Sequence, residues 1–352
     1  MKNVQSLLEE AKTQFVFSGY QLAGDWAGDS FSLHGGMTSY WPEGTKMQAN
    51  SLFDIGSLTK VVATTSLLAR AVDQKKLALE DSIGKWIPEF KGTPYETIPV
   101  SDFLCHSAGM KWWHPLYLEA EGTTLLSVLK REQSTFCEAK PGVRALYSDI
   151  DFWILGLVLE RACGKLLPHF HAEVVKPLGL KVTTYGPVEA KSSVATEYCL
   201  HRRRILHGEV FDENAAFLGG VCAHAGLFST AEDLVTWAKA WRDALEGNSQ
   251  WISSETAQRF SKPVGRIVES TWALGWDTKS PKDSSAGNFL SLRSFGHLGY
   301  PGCSVWIDPD VGAVVVFLSN RIHPSRLDER IRALRPRVHD AVALNFSRPK
   351  GK

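Results

Sequence analysis

The chain lacks an excess of charge of either sign: 39 lysines and arginines stand against 38 aspartates and glutamates, a formal net charge of +1. So even a balance supplies no general field for nucleic acid or an anionic membrane, and neither is expected as a partner. The one local basic cluster, Arg202-Arg203-Arg204, reads as a solvated loop. Long apolar runs are missing too. The longest, Phe152 to Leu159, is far too short to span a bilayer. Val4, Leu7, Leu8 and Ala11 fall on one helical face, but Glu9 and Glu10 stand where an export signal would be apolar. The expectation is a cytoplasmic protein, or a periplasmic one if a signal has been trimmed. The six cysteines, Cys105, Cys137, Cys163, Cys199, Cys222 and Cys303, contain no Cys-x-x-Cys pair and read as reduced thiols. There is no Gly-x-Ser-x-Gly elbow, no His-Glu-x-x-His, and no dinucleotide or Walker-type phosphate loop. His169 and His171 alternate rather than share a helical face, so no metal and no cofactor is expected.

What the chain has is bulk. At 352 residues and 44% hydrophobic content it can bury a large core in two lobes or one large domain. After a first helix, Phe15 to Trp26 and Ser30 to Tyr40 are β-rich runs joined by Ala27-Gly28-Asp29, a hairpin. The middle turns mainly helical, with Leu125 to Glu132, Ile150 to Ala162 and Leu166 to Val175 as the clearest helices. A helix capped by Ser229 or Thr230 runs to about Leu245. Then Thr271 to Thr278, Arg293 to Gly296, Ser304 to Asp308 and Gly312 to Ser319 read as strands, followed by a closing helix from about Ser325 to Leu344. Strands at both ends with helices between predict an α/β (α+β) fold. One lobe would be built from residues 1–81 and 221–352, with a mainly helical lobe, 82–220, inserted and the site between them.

One stretch organises the rest: Phe53-Asp54-Ile55-Gly56-Ser57-Leu58-Thr59-Lys60, leading into an apolar helix from Val61 to Val72. A serine three residues before a lysine at a helix start puts hydroxyl and amine on one face, a nucleophile beside its base. The lysine serves as base if burial lowers its pKa, and the apolar surroundings supply burial. The same spacing recurs at Ser82-Lys85, Ser127-Lys130 and Ser347-Lys350, where context argues against it: a helix-weakening glycine, an amphipathic helix and a Pro/Lys tail. Two further clusters carry polar groups in turns or glycine-rich surroundings. Tyr147-Ser148-Asp149 follows Pro141-Gly142, and its alternative reading is a buried tyrosine beside a helix cap. Phe295-Gly296-His297-Leu298-Gly299-Tyr300-Pro301-Gly302 has glycines that permit close approach, and its histidine is as readily a structural group. Trp112 and Trp113 either wall an acyl pocket or pack in the ordinary way.

In this order the three clusters resemble the serine β-lactamase and penicillin-binding-protein superfamily, in the branch of class C β-lactamases, D,D-peptidases and related esterases. Phe103 to Met110, Gly219 to Thr230 and Leu274-Gly275-Trp276 look like that branch as well. The resemblance implies a β-lactamase-like fold, mainly antiparallel sheet flanked by helices. It implies Ser57 as nucleophile, Lys60 as its activating partner and Tyr147 as proton shuttle. His297 and Gly299 fall in the third motif, and the N–H groups of Ser57 and Tyr300 would form the oxyanion hole. Two departures bear on substrate. Asp149 stands where asparagine is usual and cannot, when ionised, donate to an amide carbonyl. Leu298 replaces a threonine and has no hydroxyl for a carboxylate. Both favour a neutral ester. The expected activity is therefore a β-lactamase-related carboxylesterase forming an acyl-enzyme on Ser57. The alternatives are a β-lactamase or D-alanyl-D-alanine carboxypeptidase acting on a β-lactam or D-peptide, and a non-catalytic binder of peptide or cell-wall fragments. The oligomeric state is left open.

Overall fold

The computed structural model describes residues 1–41 and 44–346. Its centre is a six-stranded antiparallel sheet. From edge to edge it runs Asp29–Gly36, Gly19–Trp26, Ala313–Ser319, Cys303–Asp308, Phe295–Gly299 and Asp277–Thr278. The first hairpin sets its register, with Trp26 opposite Asp29 and Gly19 opposite Gly36. Tyr20 then pairs with Ser319, which brings the two ends of the chain together at the sheet centre.

Alternation explains why the central strand is apolar throughout. In Ala313–Ser319, Val315 and Phe317 pack with Val4, Leu8, Leu334, Val338 and Val342 of the two terminal helices, Lys2–Thr13 and Ile331–Phe346. Val314, Val316 and Leu318 point the other way, into the larger core with Trp237 and Trp241 of the helix Ala231–Leu245. A strand covered on both faces needs apolar residues at every position. That larger core is continuous from the sheet to the helices of the middle segment, including Asp149–Cys163, whose Phe152, Trp153 and Leu155 are buried in it.

Several expected elements are shorter than their apolar patterns. The first strand begins at Gly19 because Phe15 sits at a left-handed φ of 59° and ends the helix before it. Only Asp277–Thr278 of the run from Thr271 is a strand. The closing helix starts at Ile331 rather than near Ser325, because the preceding residues tie Arg326 to Glu197 and Glu213 and Asp328 to Arg321. The run 166–175 is a short α-helix that widens into a π-helical turn, His171–Val175. The helix after Ser57 does the same in reverse: Lys60–Thr65 is π-helical, and the α-helix proper is Ser66–Asp73. No helix of the described residues is long and apolar enough to cross a membrane. Arg202 is no solvated residue: its guanidinium binds the carbonyls of Val210 and Phe211.

Candidate active site

Ser57 is placed by a turn that only a few residues can make. Gly56 adopts φ 51°, and a Cβ there would strike Pro301 at 2.6 Å. The Gly56 N–H donates to Asp54 Oδ1 at 2.9 Å, while Asp54 Oδ2 accepts the Phe211 N–H at 2.9 Å. The same carboxylate therefore fixes the serine turn and the loop beside it. Burial pushes the Asp54 carboxyl up to about 7 despite these two donors. Helical turns then follow at once: Leu58, Thr59 and Lys60 donate to the carbonyls of Ile55, Gly56 and Ser57.

The three groups singled out in the sequence meet. Tyr147 Oη donates to Ser57 Oγ at 2.8 Å, and Lys60 Nζ donates to the same oxygen at 3.1 Å. Lys60 Nζ also donates to the His224 carbonyl at 3.2 Å. Among the described residues the other Ser-x-x-Lys sequences make no such site. Lys85 pairs with Asp81, the Ser127 hydroxyl donates to the carbonyl of Thr124, the N-cap of its helix, and Ser347-Lys350 lies outside the described residues.

The electrostatics correct the sequence reading at Lys60. Burial does oppose its charge, but the Asp149 carboxylate lies 2.6 Å from Nζ and, with Tyr147, raises the lysine pKa instead of lowering it. The lysine rests as an ammonium ion. Asp149 and the lysine form a close ion pair. Asp149 is consequently turned to the lysine and is absent from the wall of the cavity, against its expected place as a substrate contact. Burial is also the main reason that the Tyr147 phenol is raised, with Lys60 pulling it back. At His224 the Trp153 indole donates to Nδ1 at 3.1 Å, which leaves Nε2–H to face Asp212 at 3.0 Å. The potential ligand atoms of Asp149, Asp212 and His224 lie close together, but their acidic groups already face Lys60 and the imidazole.

Ser57 and Tyr147 open into a cavity of about 530 Å³. His297, Leu298, Gly299 and Tyr300 line it. Gly299 is needed for close approach, since a Cβ would come within 2.4 Å of the Ile55 carbonyl. His297 donates from Nδ1 to the Leu298 carbonyl at 2.8 Å, leaving Nε2 as a buried bare acceptor. Burial, with Lys60 nearby, holds its pKa down to about 3, so His297 is neutral. Tyr300 is sandwiched between the Phe211 ring, stacked at 5.9 Å, and the Arg321 guanidinium at 4.2 Å. Trp112 and Trp113 stack on each other at 5.6 Å but do not line the cavity, and Trp112 is 56% exposed.

The sequence reading missed the far wall: Trp272, Asp277, Arg321, Arg332 and Arg335. Arg335 is 6% exposed and donates to the Gly299 carbonyl at 2.7 Å, yet its Nε has no partner and no carboxylate among the described residues pairs with it. Burial draws its pKa down to about 10. A signal was available. Arg335 and His339 sit at i and i+4 on the same buried face as Ile331, Leu334, Val338 and Val342, and a charged residue on such a stripe calls for an explanation.

Both the sequence and the fold have relatives among known proteins. Residues 28–338 match the family model described as Beta-lactamase. A protein of Escherichia coli strain K12 named "Putative D-alanyl-D-alanine carboxypeptidase" is 31% identical over 313 residues, 79% of this chain and 71% of that one. The N-acetylmuramyl-L-alanine amidase of Bacillus subtilis strain 168 is 30% identical over 80% of this chain and 71% of its own. Among solved structures, EstCE1, a hydrolase with promiscuous acyltransferase activity, superposes with a TM-score of 0.76 at 20% identity, covering 97% of this chain and 98% of that one.

Proposed function

The chain belongs to the β-lactamase family of serine hydrolases, and we propose that it cleaves small acyl compounds bearing a carboxylate, D-alanyl peptides or β-lactams, through an ester on Ser57. The observation that carries the reading is the convergence of Tyr147 at 2.8 Å and Lys60 at 3.1 Å on Ser57 Oγ at the cavity wall. Ser57 Oγ accepts two hydrogen bonds at rest, so its own proton has to leave through a group that can first give one up. The Lys60–Asp149 pair supplies that group. As Lys60 passes a proton to Asp149, its amine takes the serine proton and Oγ attacks the acyl carbon. Tyr147 then protonates the leaving group and is refilled from Lys60, which recovers its proton from Asp149. The N–H groups of Ser57 and Tyr300 would receive the oxyanion.

Arg335 supports the carboxylate. A buried guanidinium without an ionic partner beside the reaction cavity is costly unless an anion arrives there. Asp149 no longer argues for a neutral ester, because it is engaged by Lys60. A second reading, hydrolysis of neutral esters, is favoured by Leu298 and by the apolar wall of Trp272, Ile331 and Pro336. Wild type and Ser57→Ala, each offered a p-nitrophenyl ester, a D-alanyl-D-alanine peptide and a β-lactam, decide between them. Turnover and an acyl adduct by intact mass in wild type alone support the serine assignment. Equal activity in both proteins would remove it.

A further inference from the structure

Resting on the reading of Tyr147 as a proton-transferring phenol, we propose that His106 and Asp151 form a neutral buried pair that positions Tyr147, with Asp151 held as a carboxylic acid. His106 grips the chain on both sides of the tyrosine. Its carbonyl accepts the Leu146 N–H at 2.9 Å, and its Nδ1 accepts the Ser148 N–H at 3.2 Å. Its ring lies 4.8 Å from the Tyr147 ring, and Trp272 closes the corner, 4.5 Å from His106 and 5.7 Å from Tyr147. His106 holds a left-handed φ of 55° to do this, a conformation that costs a residue with a Cβ and persists where surrounding contacts enforce it.

The protonation state follows from donors and acceptors. A backbone N–H aimed at Nδ1 leaves no room for a proton on that nitrogen. Asp151 Oδ2 lies 3.1 Å from the same bare nitrogen, and two lone pairs at that distance repel, so the carboxyl carries the hydrogen and donates it. Both side chains are sealed from water, with exposures of 0% and 1%. Burial, the leading cause in each case, depresses the imidazole and raises the carboxyl well above its ordinary value. The charged or titratable groups facing the pair act in the same sense: Lys60 and His297 on the histidine, Asp149 and Asp102 on the aspartate, with only Lys60 opposing at Asp151. Asp102 is itself paired with Arg266. The neutral pair keeps charge off the back of the Tyr147 ring, where an ionised Asp151 would tighten the phenol's hold on the proton it has to give.

The test combines a readout free of activity with kinetics. In full-length protein with ¹⁵N-histidine and ¹³C-carboxyl aspartate, signals assigned through His106→Asn and Asp151→Asn should show an Nε2–H imidazole and a protonated carboxyl throughout the neutral pH range. An imidazolium with a carboxylate would overturn the proposal, whatever the enzyme's substrate proves to be. With the ester, peptide or β-lactam that wild type turns over, His106→Ala should lower kcat by roughly 10²-fold with little change in KM, the scale expected for a misplaced reacting group. His106→Asn, whose Oδ1 takes the place of Nδ1 and which tolerates the left-handed backbone, should restore most of that loss. Asp151→Asn should stay close to wild type, because a neutral donor replaces a neutral donor. Wild-type kcat in His106→Ala, or a loss of roughly 10²-fold in Asp151→Asn, would sink the proposal. If His106→Ala does not fold, His106→Asn, Asp151→Asn and the spectra still decide.

Discussion

Lys60 Nζ and the Asp149 carboxylate stand 2.6 Å apart, with the lysine side chain wholly buried and the carboxylate nearly so. An asparagine at 149 would leave the ammonium without its counter-ion, and burial would then lower the lysine pKa with only Tyr147 opposing it. Asp149→Asn should lose roughly 10²-fold or more in kcat/KM at neutral pH, because no group remains to take the lysine proton, and should recover as pH rises and the lysine becomes neutral by itself. A pH–rate profile of both proteins tests this. A neutral-pH rate equal to wild type would take Asp149 out of the proton path.

Tyr147→Phe removes the phenol and keeps the ring that packs on His106 and Trp272. Its thermal stability should stay near wild type while turnover falls by about 10²–10⁴-fold, the usual scale for a general acid–base group. Thermal melts and single-turnover kinetics on one preparation separate the two effects.

Arg335→Gln deletes a buried cation of the cavity, one with no carboxylate partner among the described residues, but keeps a donor toward the Gly299 carbonyl. It should raise KM for a carboxylate-bearing substrate at least about tenfold and leave a neutral ester nearly unaffected, since a charge-assisted contact is worth about 1.5–3 kcal/mol. Equal effects on the two substrates would return the ester reading to first place.

Asp277 lines the cavity and accepts the Thr271 hydroxyl at 2.7 Å, and burial pushes its pKa from 3.8 up to about 6. The folded protein thus holds this proton more tightly than the unfolded chain does. Its contribution to stability is full below about pH 4, declines as pH rises to about 6, and is lost above that, each tenfold gain in proton affinity being worth about 1.4 kcal/mol. Asp277→Asn keeps the acceptor for Thr271 without the ionisation. It should flatten that decline and be the more stable protein at pH 7, as urea unfolding across the range would show.

The nucleophile was legible because its chemistry is local: a glycine turn, a serine and a lysine one helical step away. Tyr147 and His297 were legible only as members of an ordered set, since nothing in either neighbourhood separates a reacting group from a packed one. The sheet was legible in its central strands, where burial on both faces writes an unbroken apolar run. The far wall was not. Arg321 and Arg335 reach the cavity from beyond the last strand, and their positions depend on how that segment folds back over the face of the sheet. The sense of the Lys60 shift was illegible for the same kind of reason. Apolar neighbours in sequence announce burial, but the decisive carboxylate comes from a helix far along the chain, and a partner at such separation is visible only once the chain has folded.

The π-helical turn from Lys60 to Thr65 has a consequence for how this protein tolerates change. A π turn accommodates one residue more than the α-helix it interrupts, so the backbone before it is rotated by about 100° relative to where an uninterrupted helix would carry it. Ser66–Asp73 is anchored in the core, so the rotation is felt at the buried turn residues Val61 to Ala63 and, before them, at the serine. Removing a single residue within the turn would swing Ser57 and Lys60 away from Tyr147 and at the same time displace Val61, Val62 and Ala63 from the core they help to fill. An alteration of that kind costs activity and packing together, which makes the turn a place where the reacting groups and the core are inherited as one unit.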